Sequence, residues 1–136
     1  MDLYCLDYDG NILDACAMAL FGALRDCRLR EAKVRDEGVI ASCSRSIPLE
    51  INTFPIPVSF GVLEGVVIAD PTAEEEELLD TELTLLYSTD GAFCGVLKPG
   101  GIPVEDQVYR ECMKQSRART SQVLKLVNAA AAQSAQ

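Results

Sequence analysis

The chain has 136 residues, 49% of them hydrophobic, which suffices for one domain with a packed core. A net charge of −9 and a pI near 4.4 exclude a protein that grips nucleic acid over its whole surface, so any polyanion contact must be local. Six cysteines, at 5, 16, 27, 43, 94 and 112, form no C-x-x-C pair and the chain has no histidine, so the common zinc patterns are absent.

Met1-Asp2 leads straight into Tyr4-Cys5-Leu6, which reads as a buried strand, with no signal-peptide pattern before it. The cysteines are therefore expected to be reduced, mostly buried small hydrophobes of an intracellular protein. Cys5, Cys16, Cys94 and Cys112 lie in apolar segments, and Cys43, between two serines, is the one expected to be exposed. Asp9-Gly10 supplies the backbone angles of a sharp turn. Asn11 suits an N-cap, and Asp14 favours the positive end of the helix that follows. That helix should run from near Ile12 to about Cys27. Its apolar residues between Ala15 and Leu24 cover nearly every face, which predicts a helix buried on most sides. The run is too short to span a bilayer.

Ala32 to Arg35 and Val39 to Cys43 are weak strand candidates around an Asp36-Glu37-Gly38 turn. Leu49 to Asn52 and Val58 to Leu63 read as better strands, with Pro55 and Pro57 restricting the connection between them. Glu64-Gly65 signals a hairpin into Val66 to Ala69, which stops at Asp70-Pro71 before the acidic run Glu74 to Glu77. Thr81 to Ser88 and Ala92 to Leu97 form a further hairpin about Thr89-Asp90-Gly91, and Pro99-Gly100-Gly101 breaks the chain. Beyond Pro103 the period becomes helical, with Val104, Val108, Cys112, Met113, Val123 and Val127 near one face and an alanine-rich end expected to fray. The order of strand, helix, several strands and a long helix is an α+β pattern. So few helices leave apolar surface without a lid, which implies a partner or a larger fold.

Two strings, Asp9-Gly10-Asn11-Ile12-Leu13-Asp14-Ala15 and Val67-Ile68-Ala69-Asp70-Pro71-Thr72-Ala73-Glu74-Glu75-Glu76, resemble the ribonuclease PH family. Asp80 to Thr84, Thr89-Asp90-Gly91, Lys98-Pro99-Gly100-Gly101 and the last helix follow in the family's order. The likeness is greatest to the catalytically silent branch of the RNA exosome ring. Leu6 to Cys16 and Lys98 to Gly101 look nearest to the eukaryotic component 8 type. The resemblance implies a ribonuclease PH-like (ribosomal protein S5 domain 2-like) βαβ arrangement: a mixed sheet, a buried helix and a long C-terminal helix. Residues 1–136 would be a single domain matching the second half of the full family domain.

Active members of the family hold phosphate with an Asp-Gly-Gly-Thr-Arg turn, which falls here on Asp9-Gly10-Asn11-Ile12-Leu13. Leu13 stands where the arginine belongs, and an aliphatic side chain cannot fork onto phosphate. The family's metal-holding aspartate pair corresponds to Asp70 and Glu76, a remnant that could attract magnesium or be a solvated acidic loop. Arg110, Lys114, Arg117 and Lys125 form a basic stripe on the last helix, open to RNA phosphate, to a subunit contact or to solvent alone.

The resemblance thus implies a non-catalytic structural subunit of the exosome core ring, without cofactor or membrane attachment. Its partners would be other ribonuclease PH-like ring subunits, with RNA met indirectly through the channel, and it would self-associate if isolated. The implied location is nucleus, nucleolus and cytoplasm. A phosphorolytic 3'-to-5' exoribonuclease and a free-standing protein-interaction module are the alternatives.

Overall fold

A computed structural model describes residues 1–36 and 38–134, with side chains except at 42–45 and 134. Helix α1 (Ile12–Asp26) leads into the hairpin β1 (Arg28–Arg35) and β2 (Gly38–Pro48). Strands β3 (Pro55–Leu63) and β4 (Val66–Ala69) follow, then the single turn α2 (Ala73–Glu76), strands β5 (Thr81–Ser88) and β6 (Phe93–Leu97), and helix α3 (Asp106–Ser134). β1 and β2 make a two-stranded sheet of their own, while the main sheet has the order β4-β3-β5-β6.

The α+β class is as expected, but every strand pairing among the described residues is antiparallel rather than mixed. The difference starts at the N-terminus. Tyr4, Cys5 and Leu6 are not a buried strand: no strand lies beside them, and Tyr4 and Leu6 are 84% and 97% exposed. Without that strand the parallel βαβ unit does not form. Leu49 to Asn52 is also not a strand, since the chain there only links β2 to the main sheet.

The prolines of β3 are tolerated for a geometric reason. Thr89 donates its N–H to the Phe54 carbonyl at 3.0 Å, which sets the ladder alternation so that the amides of Ile56 and Val58 face β5. Pro55 and Pro57 then lack N–H groups only on the far side, where β4 begins no earlier than opposite Phe60. The β3–β4 connection is the expected tight turn, with φ of +49° at Glu64 and +78° at Gly65, the pairing that a type I′ hairpin needs.

The inward residues of β3 and β5 alternate as a half-buried sheet requires. Val58, Phe60, Leu83, Leu85 and Tyr87 pack with Cys112 of α3, and Val108, Tyr109 and Met113 complete this cluster. A second cluster joins Phe21 of α1, Ile56 and Val123, with Val127 beside them. The expected stripe is therefore the core face of α3 from Val108 to Val127, while Val104 lies before the helix and in neither cluster. α1 itself is not covered on most sides: Phe21 is its one buried residue, and Ile12 and Leu13 are exposed. It packs along a single sheet edge and α3, so its remaining apolar faces meet water.

The cysteines are less buried than expected. Cys112 is fully buried, and burial pushes its thiol up to about 11, but Cys5 and Cys94 are exposed. Cys5 lies in the unpaired N-terminal segment and Cys94 on the edge strand β6, where one face has no cover. The readings of Cys43 as exposed and of a frayed final end fall outside the described side chains and residues. No helix among the described residues is long and apolar enough to cross a membrane.

Candidate functional site

Gly10 and Asn11 both take left-handed backbone angles, with φ of +86° and +43°, and α1 begins at the next residue. Asn11 occupies the N-cap position as expected, yet its side chain makes no capping bond. It reaches sideways instead, its Nδ2 donating to Asp70 Oδ1 at 2.6 Å and to Asp14 Oδ2 at 3.2 Å. Asp14 in turn accepts from the Ser59 N–H at 2.9 Å and the Ser59 hydroxyl at 2.8 Å. That amide lies on the side of β3 that β5 does not use, so the carboxylate satisfies a sheet edge as well as favouring the helix start.

The other half of the site is the loop from β4 to α2. Asp70 ends β4 at φ +58°, and Thr72 caps α2 through a reciprocal box: its Oγ1 accepts from the Glu75 N–H and Glu75 Oε2 accepts from the Thr72 N–H. This box fixes the next residue, Glu76, beneath the turn. Glu76 Oε1 accepts from the Asn11 N–H at 2.7 Å, and its Oε2 accepts from the Tyr8 hydroxyl at 2.5 Å. The structure thus brings together Asp9, Gly10, Asn11, Leu13, Asp70 and Glu76, all singled out from the sequence. Arg110, Lys114, Arg117 and Lys125 stay apart from them, exposed along α3, whose Cys112, Ser116 and Thr120 are buried.

A cleft of about 680 Å³ opens beside the turn, lined among others by Tyr8, Leu13, Glu76, Glu82, Thr84 and Lys98. Its charge balance is one cation against two carboxylates. Lys98 is itself turned away to backbone, its Nζ donating to the Gly100 carbonyl at 2.7 Å and to that of Gly101 at 3.4 Å. An anion entering here would find Leu13 aliphatic and the Asn11 amide already bonded to a carboxylate. In the acidic pair both Glu76 oxygens and Asp70 Oδ1 accept hydrogen bonds, and no cluster of three or more His, Cys, Asp or Glu that could hold a metal occurs among the described residues.

Tyr8, Ser59 and the Thr72–Glu75 box were missed in the sequence. Only the box had a readable signal, Thr-x-x-Glu just after Asp70-Pro71. Tyr8 titrates above its ordinary value near 10, first because its hydroxyl bonds Glu76, then through burial and the nearby Glu76 charge. The folded-state value is raised, so the bond contributes stability fully below pH 10 and loses it as pH climbs through the folded value. Tyr8→Phe is therefore expected to lower the urea midpoint at neutral pH, with the gap to wild type closing in alkali. A gap that widened above pH 10 would refute this.

The region from β3 to mid-α3, residues 53–119, matches the family model described as the 3' exoribonuclease family, domain 2, of ribonuclease PH. Residues 53–119 thus form a ribonuclease PH-like second domain. The chain is 32% identical over 104 residues to exosome complex component Rrp42 of Methanothermobacter thermautotrophicus, covering 76% of this chain and 38% of that protein. It is 31% identical over 121 residues to exosome complex component rrp43 of Schizosaccharomyces pombe, covering 87% and 44%. Among solved structures, a chain of the Archaeoglobus fulgidus exosome with RNA bound to the active site superposes with a TM-score of 0.71 at 25% identity, over 88% of this chain and 44% of that one. The chain spans less than half the length of these relatives.

Proposed function

We propose that the chain is the C-terminal half of a ribonuclease PH-like domain and serves as a non-catalytic, structural part of the RNA exosome core ring, in RNA processing and degradation. Its partners are then other ribonuclease PH-like ring subunits, and RNA is met through the ring they enclose. The named relatives and the exosome structures support this assembly role. The loss of catalysis is carried by one observation: the carboxylate of Glu76 sits on the Asn11 amide, beside Leu13, where the family's turn holds phosphate. A carboxylate on that amide repels a second anion, and Leu13, in the position of the family's arginine, does nothing to offset the charge; Arg119 of α3 borders the other side of the turn, in a cavity lined by Gly10, Asn11, Asp14 and Asp70. Arg110, Lys114, Arg117 and Lys125 remain candidates for a subunit or RNA contact at the rim of such a ring.

Incubating the purified chain with single-stranded RNA, magnesium and inorganic phosphate tests the reading. No nucleoside diphosphates are expected, and Leu13→Arg should not create activity because Glu76 and Tyr8 still fill the turn. Sustained release of nucleoside diphosphates that vanishes in Asp70→Ala would overturn it. Ring membership is tested separately by tagging the chain in cells and weighing the intact assembly it carries.

A further inference from the structure

The hairpin of β1 and β2 is an arm. Among the described residues its ladder belongs to no other sheet and no other element packs extensively on it, and the Leu49 N–H closes its base on the Cys27 carbonyl at 2.9 Å. Leu29, Val34, Val39, Ile40 and Ile47 are all exposed on it, Val34 by 82%. Two-stranded ribbons are marginal alone in water, and each strand of this one leaves an outer edge of unpaired backbone groups.

Charge indicates what covers the arm. Residues 28–48 hold five basic residues against three acidic ones, a net of +2, so the rest of the chain carries −11 of the −9 total. No lysine or arginine occurs before Arg25. The segment Met1 to Asp9 combines Asp2, Asp7 and Asp9 with exposed Leu3, Tyr4 and Leu6, and it has no strand partner among the described residues. The arm has no aromatic residue on which a base could stack, which favours a protein partner over RNA.

We propose that the arm is a strand-addition site for the acidic segment Met1–Asp7 of a second copy of this chain. The segment extends an open edge of the hairpin, its aspartates face Arg28, Arg30, Lys33 and Arg35, and its apolar side chains cover the aliphatic ones of the arm. Gly10 and the base of the arm lie at opposite ends of α1, whose 15 residues span about 22 Å at 1.5 Å per residue, and within one copy the segment does not pair with the arm. The pairing needs no ring and is independent of the exosome reading.

Sedimentation velocity on the full chain, at micromolar concentration and low salt, should show association that weakens as salt rises. Reversing the arm (Arg28→Glu, Arg30→Glu, Lys33→Glu) or the segment (Asp2→Lys, Asp7→Lys) should each raise the dissociation constant about tenfold or more, and mixing the two variants should restore it. Circular dichroism and the urea midpoint serve as the folding control, since both regions lie outside the core. Carbodiimide coupling of mixed light and heavy-isotope chains should join Lys33 to Asp2 or Asp7 between copies. A monomeric wild type, reversals without effect, or couplings confined to single copies would overturn the proposal.

Discussion

Gly10→Ala is expected to destabilise the chain by about 3 kcal/mol or more, from two additive sources. A Cβ at Gly10 would stand 2.3 Å from the Pro71 carbonyl oxygen and 2.7 Å from the Ala73 nitrogen, closer than any real contact. Those are backbone atoms held by the Thr72–Glu75 box, so they cannot swing aside as a side chain would. The residue also sits at φ +86°, which an L side chain adopts only with strain. Gly91→Ala separates the two effects: its φ is +89°, but nothing lies within 4 Å of the added atom, so it should cost only about 1 kcal/mol. Urea unfolding of both variants measures the difference, and equal losses would show that the close approach to Pro71 does not matter.

The same contact explains what could be read of the site beforehand. Asp9-Gly10-Asn11 and Asp70 with Glu76 were legible as a turn and an acidic pair because each carries a local signal, glycine for a positive φ and carboxylates beyond a strand end. That Glu76 would fill the turn was not legible. It depends on the Tyr8 hydroxyl and the Asn11 amide arriving from 65 and more residues away, and no spacing rule encodes such a pairing. Asp14 shows the same limit. Its place in the first turn suggested a helix-dipole role, whereas its two oxygens are taken by Ser59 on an open sheet edge.

Strands and helices followed their patterns wherever both partners lay within the chain. β3, β5 and α3 matched their periodic patterns because each buries one face against another described element, while β4 and β6, little buried, followed from the turn signals at Glu64-Gly65 and Asp90-Gly91. The failures cluster at Tyr4 to Leu6 and on the faces of α1 away from Phe21, where apolar residues such as Ile12 and Leu13 signal burial while no described element covers them. Hydrophobic pattern reports that a surface wants cover and not where the cover comes from. Relatives more than twice as long as the matched region fit that reading.

Leu85→Ala is the other large effect expected, about 3–4 kcal/mol. Leu85 is fully buried in the middle of β5, between Val58 on β3 and Cys112 on α3, so truncation leaves a cavity that three elements would have to close. β5 is a central strand, paired on both sides, and cannot shift toward the void without breaking one of its ladders. A small domain commonly holds only about 5–15 kcal/mol in total, and here the N-terminal segment, the hairpin and much of α1 add little burial to the core. The variant should therefore lose a large share of its cooperative transition in urea at 25 °C. Leu6→Ala, at a residue 97% exposed, should shift the midpoint by less than about 0.5 kcal/mol when measured dilute enough to prevent association. A comparable loss in both variants would mean that the segment before α1 packs onto the sheet in solution, and that the core extends beyond the face shared by β3, β5 and α3.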